Sequence, residues 1–266
     1  MIRVLGMVVA LVWAGVAQAE IVRLAVTTSF QNSGLADVLV PQAEADLGMD
    51  VQLLVVGTGQ ALRLGRSGDV DAILVHARAA EQAFVAEGHG THRREIMYND
   101  FVLVGPADDP AGAGAARTAV AALRLIAAAG ADFVSRGDDS GTHMREQSLW
   151  DMAGGVPEGR WYKSVGAGMG AALNTASGLG GYILSDRASW LNFRNKGGLA
   201  LLFAGDPMLF NQYAFLPVNA ARHPHVNAGA VARLEAWLTS DAARVLIDGY
   251  RVEGAQVFTF NAGSGG

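Results

Sequence analysis

Short, wholly apolar runs alternate with amphipathic stretches along the first hundred residues of the chain. The apolar runs have the length of strands and the stretches between them have helical spacing. The predicted strands are 21–26, 51–56, 72–75 and 100–104, and the predicted helices are 33–47, 60–66 and 79–87. Fully apolar strands that alternate with helices are typical of parallel βα units, in which helices cover both faces of the sheet. We therefore predict an α/β fold.

A second run of the same kind follows a Pro/Gly/Ala-rich stretch at 106–115. The predicted helices are 119–129, 142–153 and 169–177 and the strands 132–134, 181–184 and 199–203, after which the chain continues through strand 213–216 and helices 227–238 and 240–250. We predict two α/β lobes, one made of residues 20–100 plus 212–266 and the other of 101–211. Two chain crossings, near 99–106 and 206–213, would form a hinge that lets the lobes close over a ligand in the cleft between them.

The first nineteen residues have the pattern of a secretory signal peptide. Arg3 gives a positive start, residues 4–17 are apolar, and Ala17-Gln18-Ala19 provides the small residues of a cleavage site. The apolar run is shorter than the ~20 residues that a membrane span requires. We expect cleavage after Ala19 and an exported, soluble product.

Composition narrows the functional classes. Apolar residues make up 51% of the 266 and charged residues 17%, which excludes a disordered chain. The net charge is −5 and no Lys/Arg cluster is present, which argues against nucleic acid as a partner. The chain has no Cys, and this excludes disulfides, thiolate catalysis and thiolate zinc sites.

Four turns between predicted strands and helices carry unusual chemistry. They are 27–29 (TTS), 57–60 (GTGQ), 135–142 (SRGDDSGT) and 166–170 (GAGMG), two in each predicted lobe. Turns of Gly and hydroxyl residues ahead of a helix present free backbone N–H groups and the positive end of the helix dipole to an anion. Ordinary helix capping explains any one of these turns, but the four together favour a small anion held between the lobes. Arg136 is the obvious cation, and we expect Asp138 and Asp139 to cap the following helix and to orient Arg136.

Other polar residues are open to different interpretations. Ser140 could act as the nucleophile of an exported serine hydrolase, with His143 or His76 as base, although the sequence context of a nucleophile is missing. The pairs 89/92 and 223/225 are expected to be surface histidines rather than metal ligands, because no carboxylate stands at ligand spacing. His76 follows an apolar strand and is expected to be partly buried and satisfied. We expect five aromatic residues to pack in the core or between the lobes, namely Tyr98, Trp150, Trp161, Tyr182 and Trp190.

The chain resembles the periplasmic tungstate-binding proteins of tungstate ABC transporters, a family of type II substrate-binding proteins. The similarity covers essentially the whole mature chain and is most specific at 136–142. The other segments that carry it are 27–29 with 33–35 (SGL), 56–62 (VGTGQAL), 68–71 (GDVD), 74–77 (LVHA), 97–101 (MYNDF) and 180–187 (GGYILSDR). One departure is Val26, which stands where many relatives have a further Thr.

This resemblance implies a bilobal periplasmic binding protein, without catalysis or cofactor, that usually acts as a monomer and delivers tungstate to a membrane permease. Carried over position by position, the implied ligand contacts are Thr28, Ser29, Thr58, Gly59, Arg136, Thr142 and the main chain near Met169. A buried dianion needs donors on every oxygen, and an all-donor site suits tungstate or molybdate, which are fully deprotonated at neutral pH. Phosphate carries a proton and would need an acceptor, such as Asp138 or Asp139. Molybdate, sulfate and phosphate therefore stay open as alternatives.

Overall fold

The computed structural model of the protein describes residues 20–263, so the predicted signal peptide and the last three residues lie outside it. Strands and helices alternate through most of this range. The strands are β1 (Glu20–Thr27), β2 (Met49–Val56), β3 (Ala72–Val75), β4 (Arg94–Pro106), β5 (Phe133–Ser135), β6 (Tyr162–Ser164), β7 (Tyr182–Asp186), β8 (Leu199–Phe203), β9 (Phe210–Pro217), β10 (Arg251–Val252), β11 (Ala255–Gln256) and β12 (Thr259–Phe260).

Helices fill the connections between these strands. They are α1 (Thr28–Asn32), α2 (Ala36–Leu47), α3 (Thr58–Ser67), α4 (Arg78–Ala86), α5 (Ala119–Ala129), α6 (Gly141–Ala153), α7 (Met169–Leu179), α8 (Arg187–Asn192), α9 (Ala228–Leu238) and α10 (Asp241–Gly249), with 3-10 turns at Ala113–Ala115 and Pro207–Leu209. None of the helices within residues 20–263 is long and apolar enough to cross a membrane.

One large mixed sheet organises the fold, with the strand order β2-β1-β3-β9-β4-β7-β5-β6 and with β8 and β12 also paired to β4. The pairs β1–β2, β1–β3, β5–β6 and β5–β7 are parallel, whereas β9 and β4 run antiparallel to their neighbours. Two parallel groups therefore flank an antiparallel centre. The α/β fold predicted from the apolar periodicity is confirmed.

The thirteen-residue strand β4 joins the two parallel groups. Its first part pairs with β9 as far as Asp100, opposite Phe210, and from Phe101 onward it pairs with β7 and β8. The chain therefore passes between the groups along β4 and returns along the start of β9. These are the two segments in which the sequence predicts a hinge.

Four hydrophobic cores cover the faces of this sheet. Two are built from residues 22–97 and 213–262, with Ala188 as an exception, and two from residues 101–209. Trp150, Tyr182 and Trp190 are buried among them, as expected for core aromatic residues. This distribution matches the predicted lobes, whose boundaries stay a prediction.

Several elements differ from those predicted. Strand β4 begins at Arg94 rather than near residue 100. The apolar pattern did not reveal this start, because Arg94 and Glu95 are charged and only partly buried. Helix α1 occupies a stretch interpreted as a turn. Strand β6 and helix α8 were not predicted, since β6 is a short polar edge strand and α8 has only six residues.

Candidate anion-binding site

The four turns singled out in the sequence each precede a helix, and the structure brings these helix N-termini together. Helices α1, α3, α6 and α7 begin at Thr28, Thr58, Gly141 and Met169. The Gly141 N–H donates to Thr58 Oγ1 at 3.1 Å, which joins the second turn to the third. A Cβ atom on Gly168 would lie 3.9 Å from Thr28 Oγ1, so the fourth turn abuts the first. We call this convergence of residues 27–29, 57–60, 135–142 and 166–170 the oxyanion site.

The helix caps differ among the four turns in a way that matters for binding. Thr27 accepts from the Phe30 N–H and Ser140 from the His143 N–H, both at 3.2 Å, so α1 and α6 are capped by side chains. Helices α3 and α7 have the N-caps Gly57 and Gly168, which carry no side chain that could accept. Their first-turn N–H groups therefore remain available to an outside acceptor, at the positive end of each helix dipole.

Arg136 is the buried cation of the oxyanion site, with 1% of its surface exposed. Its Nη2 donates to Thr28 Oγ1 at 3.2 Å and to Asp138 Oδ2 at 2.5 Å, and its Nη1 donates to Ser29 Oγ at 3.4 Å. The guanidinium is thus held by one carboxylate and two hydroxyl groups. The prediction that Asp138 and Asp139 orient Arg136 is confirmed for Asp138 only, since the side chain of Asp139 is exposed. The prediction that an Asp caps α6 is wrong, because Ser140 takes that position.

Gly137 gives the third turn its shape. Its φ is +61°, in the left-handed region that favours glycine. A Cβ atom there would also collide with the Ser164 hydroxyl at the end of β6. Glycine at this position therefore lets the Arg136 segment approach β6 closely.

Two threonines complete the cluster of hydroxyl groups. Thr58 and Thr142 are fully buried, and within residues 20–263 Thr142 Oγ1 has no hydrogen-bond partner. Thr58 Oγ1 accepts from Gly141, which leaves its hydroxyl hydrogen free to donate. An unpartnered buried hydroxyl costs free energy. A ligand oxygen at this point would remove that cost.

The other residues named as candidate contacts lie at the same place. Ser29 and Met169 are buried, whereas Thr28 and Gly59 are half-buried. A Cβ atom on Gly59 would lie 3.7 Å from the Asp139 main-chain oxygen, so the α3 turn contacts the Arg136 segment. All seven candidates, which are Thr28, Ser29, Thr58, Gly59, Arg136, Thr142 and Met169, belong to turns that touch one another.

Asp186 is a further buried polar residue that feels the charge of Arg136. Asp186, at the end of β7, caps α8 by accepting from the Ser189 N–H at 2.9 Å. Burial raises the pKa of Asp186, and this is opposed by hydrogen bonds from Ser189 and by the charge of Arg136. Sequence reasoning missed this residue, because a single Asp at a strand end gives no sign of its burial.

His76 departs from its expected state. It is 6% exposed, and neither ring nitrogen has a partner among the described residues. Its ring packs against Tyr213 with the centroids 4.6 Å apart. Burial and the nearby charge of Arg136 lower the pKa of His76 to about 3, so the imidazole is neutral at pH 7. The prediction of a partly buried, satisfied histidine is therefore wrong, because the strand end that carries it is covered by α6.

Glu146 is a second buried carboxyl group that the sequence did not single out. It lies on α6 four residues after Thr142, and that helical spacing is the signal that could have found it. The Tyr162 hydroxyl donates to Glu146 Oε1 at 2.7 Å. Burial raises the pKa of Glu146 to about 7, against hydrogen bonds from Tyr162, Ser135 and the Arg136 main chain.

The geometry around Ser140 is that of a helix cap. Its Oγ accepts from the His143 main-chain N–H, and the side chain of His143 accepts from the Asp139 N–H at 3.1 Å through Nδ1. The hydroxyl and the imidazole are each engaged with main chain rather than with one another. Within residues 20–263 no group of three or more His, Asp or Glu residues could hold a metal ion.

Comparison with known proteins gives consistent results. A family model described as a PBP superfamily domain matches residues 14–242. The tungstate-binding protein TupA of Peptoclostridium acidaminophilum is 44% identical over 243 residues, which span 90% of this chain and 85% of that protein.

Two solved structures are similar over nearly their whole length. The tungstate-binding protein TupA from Desulfovibrio alaskensis is 44% identical, covers 91% of this chain and 99% of its own, and superposes with a TM-score of 0.79. The structure described as the tungstate ABC transporter from Geobacter sulfurreducens is 45% identical, covers 88% of this chain and 100% of its own, and has a TM-score of 0.81.

Proposed function

The chain belongs to the PBP superfamily and, within it, to the family of the TupA tungstate-binding proteins, and we propose that it binds tungstate as the substrate-binding component of an ABC importer. This is a family of binding proteins and not of enzymes, and tungstate is its transported ligand rather than a cofactor. The observation that carries the proposal is a buried Arg136 set among four converging helix N-termini.

Every oxygen of a bound tetrahedral dianion needs hydrogen-bond donors, because an unpaired buried charge is costly. The oxyanion site offers donors of three kinds: the Arg136 guanidinium, hydroxyl groups and the uncapped N–H groups of α3 and α7. Charge-assisted bonds from Arg136 are the strongest of these. We propose that the contacts are Thr28, Ser29, Thr58, Gly59, Arg136, Thr142 and the N–H groups that begin at Met169.

A fully deprotonated ion suits this site better than phosphate. Both oxygens of Asp138 already accept, Oδ2 from Arg136 and Oδ1 from the Ser140 N–H at 3.3 Å. The side chain of Asp139, the other acceptor considered for a phosphate proton, is 81% exposed. Molybdate has the same shape and charge as tungstate and stays the main alternative, since the preference for tungstate rests on the relatives.

We further propose that residues 20–100 plus 212–266 form one lobe and 101–211 the other, hinged where β4 and β9 cross. Hydrogen bonds already run between these segments, from Arg136 to Thr28 and from Gly141 to Thr58. An ion held by both segments would stabilise the closed arrangement that a membrane permease recognises. The protein would act as a monomer in the periplasm after cleavage behind Ala19.

Thermal melting of the chain from residue 20 tests the choice of ion. Tungstate, molybdate, sulfate and phosphate are added separately at micromolar concentration. A ligand that binds only the folded state stabilises it by about 2.7 kcal/mol at a hundred times its Kd. We expect a large increase in Tm with tungstate, a smaller one with molybdate and none with the other two. No increase with any of the four ions would contradict anion binding, and a hydrolase assay with Ser140→Ala would follow.

A further inference from the structure

Glu146 is a buried carboxyl group that the proposed contacts of tungstate do not include. It is 1% exposed, and within residues 20–263 it forms no ion pair with a Lys, Arg or His side chain. The Tyr162 hydroxyl donates to its Oε1 at 2.7 Å and so joins α6 to the start of β6. A buried carboxylate without a counter-charge is costly, so the protonation of Glu146 depends on the other charges around it.

Glu146 lies one helical turn beyond a proposed contact of the ion. Thr142 and Glu146 are four residues apart on α6 and both are buried, so they share one face of the helix with their Cβ atoms about 5–6 Å apart. The Arg136 main chain also lies against the carboxyl group, because a hydrogen bond from it favours the ionised form. The carboxyl group is therefore adjacent to two parts of the oxyanion site.

The charges at this place do not balance once a dianion is bound. Arg136 is the buried cation, and Asp138 is already paired with it at 2.5 Å. A dianion adds two negative charges, and an ionised Glu146 adds a further one that no cation pairs with. Like charges repel strongly in the low dielectric of a protein interior. A protonated Glu146 removes this repulsion.

The carboxyl group changes its protonation near neutral pH. Burial raises the pKa of Glu146 to about 7 and the charge of Asp138 acts in the same direction, whereas hydrogen bonds from Tyr162, Ser135 and the Arg136 main chain oppose the increase. Above pH 7 the free protein therefore carries Glu146 mainly in the ionised form. A dianion one turn away shifts this equilibrium back toward the protonated form.

Three other ionisable groups near the oxyanion site keep their protonation around pH 7. Burial raises the pKa of Tyr162 on β6, and it raises the pKa of Tyr182 on β7 to about 12. Burial lowers the pKa of His76 to about 3. None of the three gains or loses a proton between about pH 6.5 and 9.

The charged groups on the elements packed against α6 are engaged elsewhere. Arg124 of α5 bonds carbonyl oxygens at the end of α6, and Arg145 of α6 bonds a carbonyl oxygen of β9. Two groups compete with Glu146 as the site of a bound proton. His143 lies on α6 with its Nδ1 accepting from a main-chain N–H, and Asp186 lies on β7 with a pKa raised by burial.

We propose that Glu146 couples tungstate binding to the uptake of a proton, which it takes from the solvent when the dianion enters the oxyanion site and returns when the ion leaves. This inference rests on the proposed function. Glu146 is not a ligand of the ion and acts on the charge of the site from behind Thr142 and the Arg136 main chain. Affinity is highest where Glu146 is protonated before the ion arrives, and it decreases as pH rises above about 7.

Titration calorimetry in buffers of different ionisation enthalpy counts the protons taken up. Tungstate, which stays deprotonated over this range, is titrated into the chain from residue 20 between about pH 6.5 and 9 at constant ionic strength. We expect uptake of close to one proton per ion at about pH 8, and a Kd that rises by up to about tenfold per pH unit above about pH 7. Binding with no proton uptake and a constant Kd overturns this proposal and leaves the proposed function standing. No binding at any pH refutes the proposed function and this inference with it.

Glu146→Gln assigns the proton, because an amide does not titrate in this range while its oxygen still accepts from Tyr162. We expect no proton uptake and a constant Kd, close to that of the unmodified chain at the low end of the pH range. Tyr162→Phe removes a donor to the ionised carboxylate, which raises the pKa of Glu146, so the decrease in affinity begins at a higher pH. Glu158→Gln is the matched control, since it changes an exposed carboxylate on a loop and should keep the full proton uptake.

Two further variants test the competing groups. Proton uptake that persists in Glu146→Gln and is lost in His143→Gln or Asp186→Asn places the proton elsewhere and overturns the proposal. A purely structural role of Glu146 would weaken binding in Glu146→Gln by the same factor at every pH, and this result also contradicts the coupling. If Glu146→Gln does not fold, the shift expected in Tyr162→Phe decides, and an unshifted pH profile overturns the proposal.

Discussion

Arg136 combines burial with a specific set of partners. A buried guanidinium needs a counter-charge, and Asp138 supplies it through a 2.5 Å bond while Thr28 and Ser29 occupy neighbouring donors. The planar fork of Arg suits an oxyanion better than the point charge of Lys does. Its Nε is buried and lacks a partner among the described residues. The pair therefore fixes the cation before any ion arrives.

Replacing Arg136 with Ala tests this role. We expect Arg136→Ala to weaken tungstate binding at least tenfold, because a hydrogen bond to a charged group contributes ~1.5–3 kcal/mol. Titration calorimetry measures the change. Arg124→Ala is the control, since Arg124 is an exposed arginine that bonds the carbonyl oxygens of Met152 and Ala153. An unchanged Kd in Arg136→Ala would remove Arg136 from the site.

The buried carboxyl of Glu146 predicts a pH dependence of stability. Burial raises its pKa in the folded chain to about 7, from an ordinary value of 4.5. The folded state therefore retains a proton that the unfolded state releases. Between about pH 4.5 and 7 this lowers the free energy of unfolding as pH rises.

The variant Glu146→Gln should remove that loss, while its amide oxygen can still accept from Tyr162. We expect the stability of the variant relative to the unmodified chain to grow between about pH 4.5 and 7, by on the order of 1–3 kcal/mol. Urea unfolding at a series of pH values measures it. Glu158→Gln changes an exposed carboxylate on a loop and should give a flat difference. A flat difference for Glu146→Gln as well would contradict the raised pKa.

At the residue scale, the sequence predicts a functional residue where a side chain suited to binding directly follows a recognisable strand. The hydroxyl, Gly and Arg residues of the four turns stand directly after apolar strands, so their convergence could be predicted from the α/β rule. His76, Glu146 and Asp186 could not be assigned in the same way. Whether one polar residue is buried depends on what another element places over it, and the sequence does not carry that information locally.

At the scale of elements, the glycine N-caps of α3 and α7 leave the first-turn N–H groups of these helices without a side-chain acceptor. A Ser, Thr, Asp or Asn cap would satisfy first-turn N–H groups, and Gly leaves them to the solvent or to a ligand. Gly168 has φ −62° and ψ 165°, a conformation that any residue adopts. Glycine is therefore not required there by the backbone.

Gly168→Ser tests whether the N–H groups of α7 bind the ion. The Ser hydroxyl would accept from the first turn of α7. We therefore expect the free energy of unfolding to be unchanged or higher by a few tenths of a kcal/mol, and tungstate binding to be weaker. Gly168→Ala is the matched control, because it adds the Cβ, for which there is room near Thr28, without an acceptor. Equal affinity in the Ser and Ala variants would show that the α7 N–H groups do not bind the ion.

Element boundaries were predicted well where the apolar pattern is strong and poorly where polarity hides a strand. The apolar strand at Ala72–Val75 was predicted at its observed bounds. The first two residues of β4 and all three of β6 have charged or polar side chains, and all of them are at least partly exposed. Their strand character comes from pairing with neighbours, which local pattern does not encode.

At the scale of the whole molecule, β4 and the start of β9 connect the two groups of cores. At their crossing, Asn211 Nδ2 donates to Asn99 Oδ1 at 2.6 Å, and both residues are buried. The contacts of Arg136 with Thr28 and of Gly141 with Thr58 close the cleft beside this crossing. Without a bound ion, water competes with these contacts for the same hydrogen-bond donors. We therefore expect the apo protein to sample an open arrangement.

Small-angle X-ray scattering tests this closure. We expect the radius of gyration of the apo protein to decrease when tungstate is added, because the ion bonds to both segments. The Arg136→Ala variant should show a smaller decrease or none at the same concentration. An identical radius with and without saturating tungstate would contradict an ion-driven closure.

A crystal structure with tungstate, read from the anomalous scattering of tungsten, tests the central claim most directly. The account predicts the strongest anomalous peak among the four helix N-termini, within hydrogen-bond distance of Arg136, Thr58 and Thr142. The absence of tungsten density from the oxyanion site, in crystals soaked well above the Kd, would contradict the assignment of this site and of its ligand.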